Sequence, residues 1–90
     1  MNKAELVAEI AKESGMSKSD SSKVLDATLE AISKALKDRQ EVRLVGFGTF
    51  TTRERKETMG RNPRTGEGIV IPAAILPVFR PGKLLKEEVS

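Results

Sequence analysis

The stretch from Arg53 to Ala74 constrains this chain more than any other. Five cations, Arg53, Arg55, Lys56, Arg61 and Arg64, fall within twelve residues. The segment Gly60-Arg-Asn-Pro-Arg-Thr-Gly66 then combines glycine, asparagine and proline, all turn formers, and Ile69-Val-Ile71 resumes a β-branched run. This pattern predicts a long basic hairpin, an arm over residues 53–74 that no domain of this size could bury. If its strands continue to Pro63, each side holds about ten residues, a ribbon on the order of 30 Å at about 3.3 Å per residue. Few of its outgoing side chains are apolar. The arm is therefore expected to be disordered, or flexible until a partner orders it.

The remaining composition narrows what that partner is. Ninety residues make one small domain, for which a lone core is marginal, so dimerisation is expected. Cysteine and histidine are both absent, which removes disulfides, thiolate metal sites, cysteine nucleophiles and the commonest general base. The carboxylates have no His, Cys or Tyr partner and no Walker-type phosphate loop is present, so an enzyme is not expected, nor a cofactor, metal or small-molecule substrate. No apolar run reaches the roughly 20 residues that span a bilayer, and the N-terminus lacks a secretory pattern. These features predict a cytoplasmic protein. Residues 1–40 carry seven Lys/Arg against seven Asp/Glu, whereas residues 41–90 carry nine against six. The whole net charge of +3 thus lies in the second half, as a polyanion-binding chain would place it.

Residues 1–40 read as two helices. Asn2 with Glu5, and Ser17 with Asp20, have the spacing of capped helix starts, and Gly15 stands where a helix C-terminus needs a left-handed residue. Val24, Leu25, Thr28, Leu29, Ile32, Ala35 and Leu36 recur at helical spacing and form a wide stripe. A helix-turn-helix would need base-reading side chains at the start of its second helix. Ser17 to Lys23 is nearly neutral, so an αα-hairpin serving as a dimerisation base fits better.

Residues 41–52 and 75–82 read as the sheet body. Glu41–Val45 alternates, Gly46-Phe-Gly48 forms a turn, and Thr49–Arg55 is β-prone. Pro72 and Pro77 suit an edge or a bend, and Ile75, Leu76, Val78 and Phe79 are expected to return to the core. Pro81-Gly82 breaks the chain before a short helix over 83–90.

A ribbon edged with arginine suits a DNA groove, because guanidinium groups match phosphates bidentately and enter narrow minor grooves. Pro63, between Arg61 and Arg64, has two readings: an apolar wedge between base pairs, or simple turn geometry.

Taken together, Gly46-Phe-Gly-Thr-Phe50, Gly60-Arg-Asn-Pro-Arg-Thr-Gly66, Ile71-Pro-Ala and Pro77-Val-Phe-Arg-Pro-Gly-Lys83 resemble the HU family of bacterial histone-like DNA-binding proteins, over essentially the whole chain. The resemblance implies an α+β fold: an N-terminal αα-hairpin, a three-stranded antiparallel sheet with a long protruding β-ribbon arm, and a short C-terminal helix, in an intertwined dimer. It implies binding of double-stranded DNA, largely without sequence specificity, in the bacterial nucleoid. Bent, nicked or distorted DNA is the expected preference. By the same resemblance Pro63 is the intercalating residue, and Arg53, Arg55, Arg61 and Arg64 line the minor groove with Lys56 and Asn62 beside them. Lys3, Lys18, Lys83 and Lys86 meet flanking phosphates, with Arg80 in the segment before α-helical residues 83–90. Phe47, Phe50 and Phe79 resemble a structural aromatic cluster. A sister family of sequence-specific benders, of integration host factor type, shares these arms. A dimeric protein-interaction module with a merely solvated hairpin is the third reading, and it predicts a preparation free of copurified nucleic acid. One departure stands out: Thr58-Met59, beside Glu57, occupies a region where the arm commonly carries a basic residue, which predicts weaker arm electrostatics.

Overall fold

The computed structural model describes residues 1–90, which fall into two units, Met1–Ala35 and Leu36–Ser90. The first unit begins with α1 (Lys3–Ser14) and holds most of α2 (Lys18–Lys37). Both helices start where the capping residues require. The Asn2 side-chain oxygen accepts from the Glu5 N–H at 2.9 Å, and the Ser17 hydroxyl accepts from the Asp20 N–H at 3.1 Å. Gly15 closes α1 at φ 75°, its N–H donating to the Ala11 carbonyl, a conformation glycine adopts without strain. An exposed ion pair, Lys3 to Asp26 at 2.6 Å, ties the start of α1 to α2.

Ser21 in α2 is fully buried, and its hydroxyl has no hydrogen-bond partner. A buried unpaired hydroxyl costs about 1–3 kcal/mol, and alanine is also the better helix former. Ser21→Ala is therefore expected to stabilise the protein by about 1 kcal/mol, raising the melting temperature by roughly 4–8 °C for a domain of this size. Circular-dichroism melts at matched protein concentration check this; an unchanged or lowered midpoint counts against it.

The second unit carries β1 (Val42–Leu44), β2 (Gly48–Arg55), β3 (Thr58–Arg61), β4 (Gly68–Ile71), β5 (Ala74–Pro81) and α3 (Lys83–Val89). β1, β2 and β5 form an antiparallel sheet in that order, and β3 pairs with β4 in a second, two-stranded sheet. The Val45–Phe47 turn is closed by the Phe47 N–H on the Leu44 carbonyl. Gly48, opposite Pro81, admits no side chain, because a Cβ there would lie 2.6 Å from both the Arg80 carbonyl oxygen and the Phe79 ring. Pro77 is tolerated inside β5 because β5 is an edge strand.

The arm is paired along its strands, as the long basic hairpin read from the sequence requires. Beyond Phe50↔Phe79 the β1 strand has ended, and β2 and β5 continue as a two-stranded ribbon to Arg55↔Ala74. Pairing then lapses at Lys56-Glu57 and Pro72-Ala73 and resumes at Thr58↔Ile71, running to Arg61↔Gly68. The strands thus stop short of Pro63 and are interrupted once. Pro72 supplies the cause, since it has no N–H to donate to a ladder. Each strand spends two residues in the break, so the register does not slip. From Thr51 to Arg61 the ribbon spans ten residue steps, about 33 Å.

The expected core is not found within one chain. No apolar side chain is buried; Leu29 and Val24 on α2 are about half exposed, and Ile75 and Phe79 are each 37% exposed. β5 does not bury its four apolar residues either, since Leu76 and Val78 are half-buried and Ile75 and Phe79 are exposed. Strand alternation sends Ile75 and Phe79 to one face and Leu76 and Val78 to the other.

Candidate nucleic-acid interface

Strand alternation sorts the second unit's side chains into two chemically different faces. Residues directly opposite in a sheet share a face. Val42, Phe50 and Phe79 therefore form one cross-strand row, and Arg43, Thr49 and Arg80 form the adjacent row on the opposite face. On the first face the Phe79 ring lies 4.7 Å from Phe50 and 5.4 Å from Phe47, both tilted by 43°, which is the expected aromatic cluster. Thr52, Pro77 and Ile75 extend that face outwards. On the second face, Arg53 and Arg55 follow Thr49 and Thr51 along β2, with Leu76 opposite Arg53 and Val78 opposite Thr51. Because the register is kept across the break, Met59 and Arg61 in β3 count to the same side.

All five strand arginines, Arg43, Arg53, Arg55, Arg61 and Arg80, thus share one face. Every one is exposed, and neither salt bridge of the chain involves them. Arg55 donates to the Pro72 carbonyl at 3.1 Å, an anchor that holds its guanidinium beside the break and leaves other donors free. Two carboxylates also fall on this face: Glu57, counted within the break, and Glu41, which accepts from the Thr51 hydroxyl at 3.3 Å. The net effect is a positive track along the ribbon with unpaired forks, suited to phosphate oxygens or a narrow groove.

The tip is built by its own hydrogen bonds. Asn62 N–H donates to the Glu67 carbonyl at 2.9 Å, and Gly66 N–H donates to the Asn62 carbonyl at 2.8 Å. Gly66 takes φ 74°, and the Asn62 side-chain oxygen accepts from the Arg64 N–H at 2.9 Å. Asn62 is therefore a turn-former whose side-chain NH2 alone is left for another partner. The turn presents Pro63 and Arg64 outwards, both exposed. Turn geometry and a wedge role for Pro63 are thus compatible, since the same turn that needs a proline-tolerant bend also projects the ring.

The other expected site residues are spread over several elements. Lys56 lies in the break, and Lys83 and Lys86 lie on α3, in its first turn and three residues on. Lys18 opens α2, and Lys3 is engaged with Asp26. An exposed pair of that kind is worth about 0–1 kcal/mol, so a phosphate could displace Asp26. Arg43 was not among the expected residues. Alternation in the short Glu41–Val45 segment, counted against Thr49 and Arg53, was the signal that would have found it. It needed the pairing register, which no single strand encodes.

The family model described as "Bacterial DNA-binding protein" matches residues 1–90. The chain is 49% identical to DNA-binding protein HU of Geobacillus stearothermophilus over 90 residues, covering all of both chains. It is 54% identical to DNA-binding protein HU-beta of Neisseria meningitidis over 87 residues, covering 97% of this chain and 98% of that one. Among solved structures, an Anabaena HU–DNA cocrystal structure superposes with a TM-score of 0.94 at 47% identity, covering 100% of this chain and 98% of that one. The chain belongs to the HU family of bacterial DNA-binding proteins.

Proposed function

We propose that this chain is a histone-like architectural protein that binds double-stranded DNA largely without sequence specificity and bends it. The observation that carries the reading is the single face holding five unpaired arginines along an unslipped ribbon, ending in an exposed proline. Arginine side chains in a minor groove respond to its width and potential, not to a base code, so they bind many sequences. This family's members act structurally on DNA, and the chain is not an enzyme. No helix is long and apolar enough to cross a membrane, and the bacterial nucleoid is the setting in which such a protein would act.

In this reading Arg53, Arg55, Arg61 and Arg64 enter the minor groove, with Lys56 and Asn62 beside them. Lys3, Lys18, Arg80, Lys83 and Lys86 hold phosphates of the bent duplex. The working unit is a homodimer. A chain with no buried apolar side chain and a half-exposed stripe on α2 lacks a core of its own, and a second copy supplies one. Two copies also supply two arms. Two arms gripping one duplex can hold a bend, whereas one can only touch.

Pro63 acts as the wedge. Unstacking a base step costs a few kcal/mol in intact DNA and less where the duplex is already nicked or distorted. Gel-shift titrations on linear, nicked and four-way-junction DNA are expected to show tighter binding to the distorted forms. In Pro63→Ala that preference is expected to shrink by about tenfold, since each 1.4 kcal/mol of lost wedge contact is one decade. Full retention of the preference would leave Pro63 with its turn role alone. Similar affinities for unrelated duplexes of equal length and equal A·T content would separate this behaviour from sequence-specific bending.

A further inference from the structure

The arginine face of the arm carries one feature that charge does not explain. In the β3–β4 sheet Met59 stands opposite Val70, and Arg61 opposite Gly68, so these four positions share a face. Met59 is 70% exposed and Val70 56% exposed. A Cβ on Gly68 would lie 3.5 Å from the Met59 methyl group, which places that methyl across the strand beside Arg61. Counted in the pleat, this apolar pair sits between Arg55 and Arg61, on the same track as both. It therefore interrupts the positive face at mid-arm, adjoining Arg61 towards the tip and, by the same count, Glu57 towards the break.

We infer that the Met59–Val70 pair is a specificity element for the minor groove, one that packs on deoxyribose walls and the groove floor and disfavours G·C pairs there. This rests on the arm lying in the groove as proposed above. The argument is chemical. At the floor, A·T and T·A pairs present only acceptors, whereas a G·C pair adds the guanine N2 amino donor. Neither the Met59 thioether nor the Val70 side chain is an effective acceptor. Pressed against guanine, they would strip water from that amino group and return no hydrogen bond, which is unfavourable. Against A·T the same side chains exclude water at little cost. Arg61, two residues along the same strand and on the same face, keeps the pair at the groove by holding the adjacent phosphates or floor acceptors. The gap in charge at Thr58-Met59 is on this account an exchange of ionic grip for apolar contact and selectivity.

The test uses the full-length protein on nicked duplexes of equal length, with the nick fixing the position of the bend. The tracts flanking the nick are A·T, G·C or inosine·C, the last being G·C without the N2 amino group. Wild type is expected to bind the A·T and inosine·C duplexes about tenfold more tightly than the G·C duplex, the size of one unsatisfied donor. Met59→Gln is nearly isosteric, uncharged and solvent-facing, and its amide oxygen can accept from guanine. It is expected to bring the three affinities within about twofold while leaving the slope of log affinity against log salt unchanged. Met59→Leu is expected to keep the preference. A wild type without the preference, or a Met59→Gln variant that retains it, overturns the inference and assigns any residual selectivity to groove width. Arg61→Ala separates this failure from that of the arm reading. It should weaken all three complexes and make the salt slope shallower whatever Met59 does, and if it changes neither, the arm is not in the groove.

Discussion

Replacing Arg53, Arg55 and Arg61 together by alanine is expected to abolish most DNA binding while leaving the fold intact. Each phosphate neutralised contributes about −0.9 to the slope of log affinity against log salt. Three arginines on each of two arms should therefore make the slope shallower by about 5, and affinity at low salt should drop by roughly 10³-fold or more. The three side chains are exposed and form no salt bridge, so the thermal midpoint should hardly move. Binding followed by fluorescence anisotropy over a salt series, beside a melting curve, reads both quantities. A companion variant isolates direction from charge. Exchanging Glu54 with Arg55 keeps the net charge but turns one arginine to the ribbon's other face, and it should weaken binding at least as much as Arg55→Ala. Equal binding by the exchange variant would mean that the arm attracts DNA only as a diffuse positive charge.

The second large effect concerns stability. Phe79→Ala is expected to destabilise the protein by about 3 kcal/mol for each chain, near the lower end for truncating a core aromatic. The ring touches both Phe47 and Phe50 and is 37% exposed within one chain. In the proposed dimer the remaining surface is covered by the second copy, so the loss falls on folding and association together. The melting temperature should fall by on the order of 15 °C, and for wild type and variant alike it should rise with protein concentration. A midpoint independent of concentration would contradict the dimer and would require one chain to be stable without a single buried apolar side chain.

These two predictions draw on different faces of the same strands. The face holding Val42, Phe50 and Phe79 determines whether the molecule exists as a folded unit. The face holding Arg43, Arg53, Arg55, Arg61 and Arg80 is the one proposed to meet DNA, and Leu76 and Val78 lie on it as well. A slip of one residue in the β2–β5 register would send the arginines to the aromatic side, so folding and DNA binding depend on one alignment.

The local features were legible in the residues because each depends on neighbours a few positions away. Asn2, Gly15 and Ser17 mark helix ends through hydrogen bonds of one turn's reach, and the structure forms all three. The tip from Asn62 to Glu67 closes through contacts of the same range. Pro72 likewise announced an interruption, since a residue without an N–H breaks a ladder where that N–H would have faced the partner strand. What could not be read was everything that depends on which residue faces which across the ribbon. The pairing of Thr51–Arg61 with Gly68–Val78 decided that the arm is a registered ribbon with one break. It also brought Arg43 beside Arg80 by way of Thr49, and put Met59 and Val70 between two arginines. The sequence by itself determined the helix caps, the turns, the basic arm and the absence of cysteine and histidine. Only the tertiary structure decided which face each arginine occupies and that one chain closes no core, because cross-strand register and burial are properties of residues far apart in the chain.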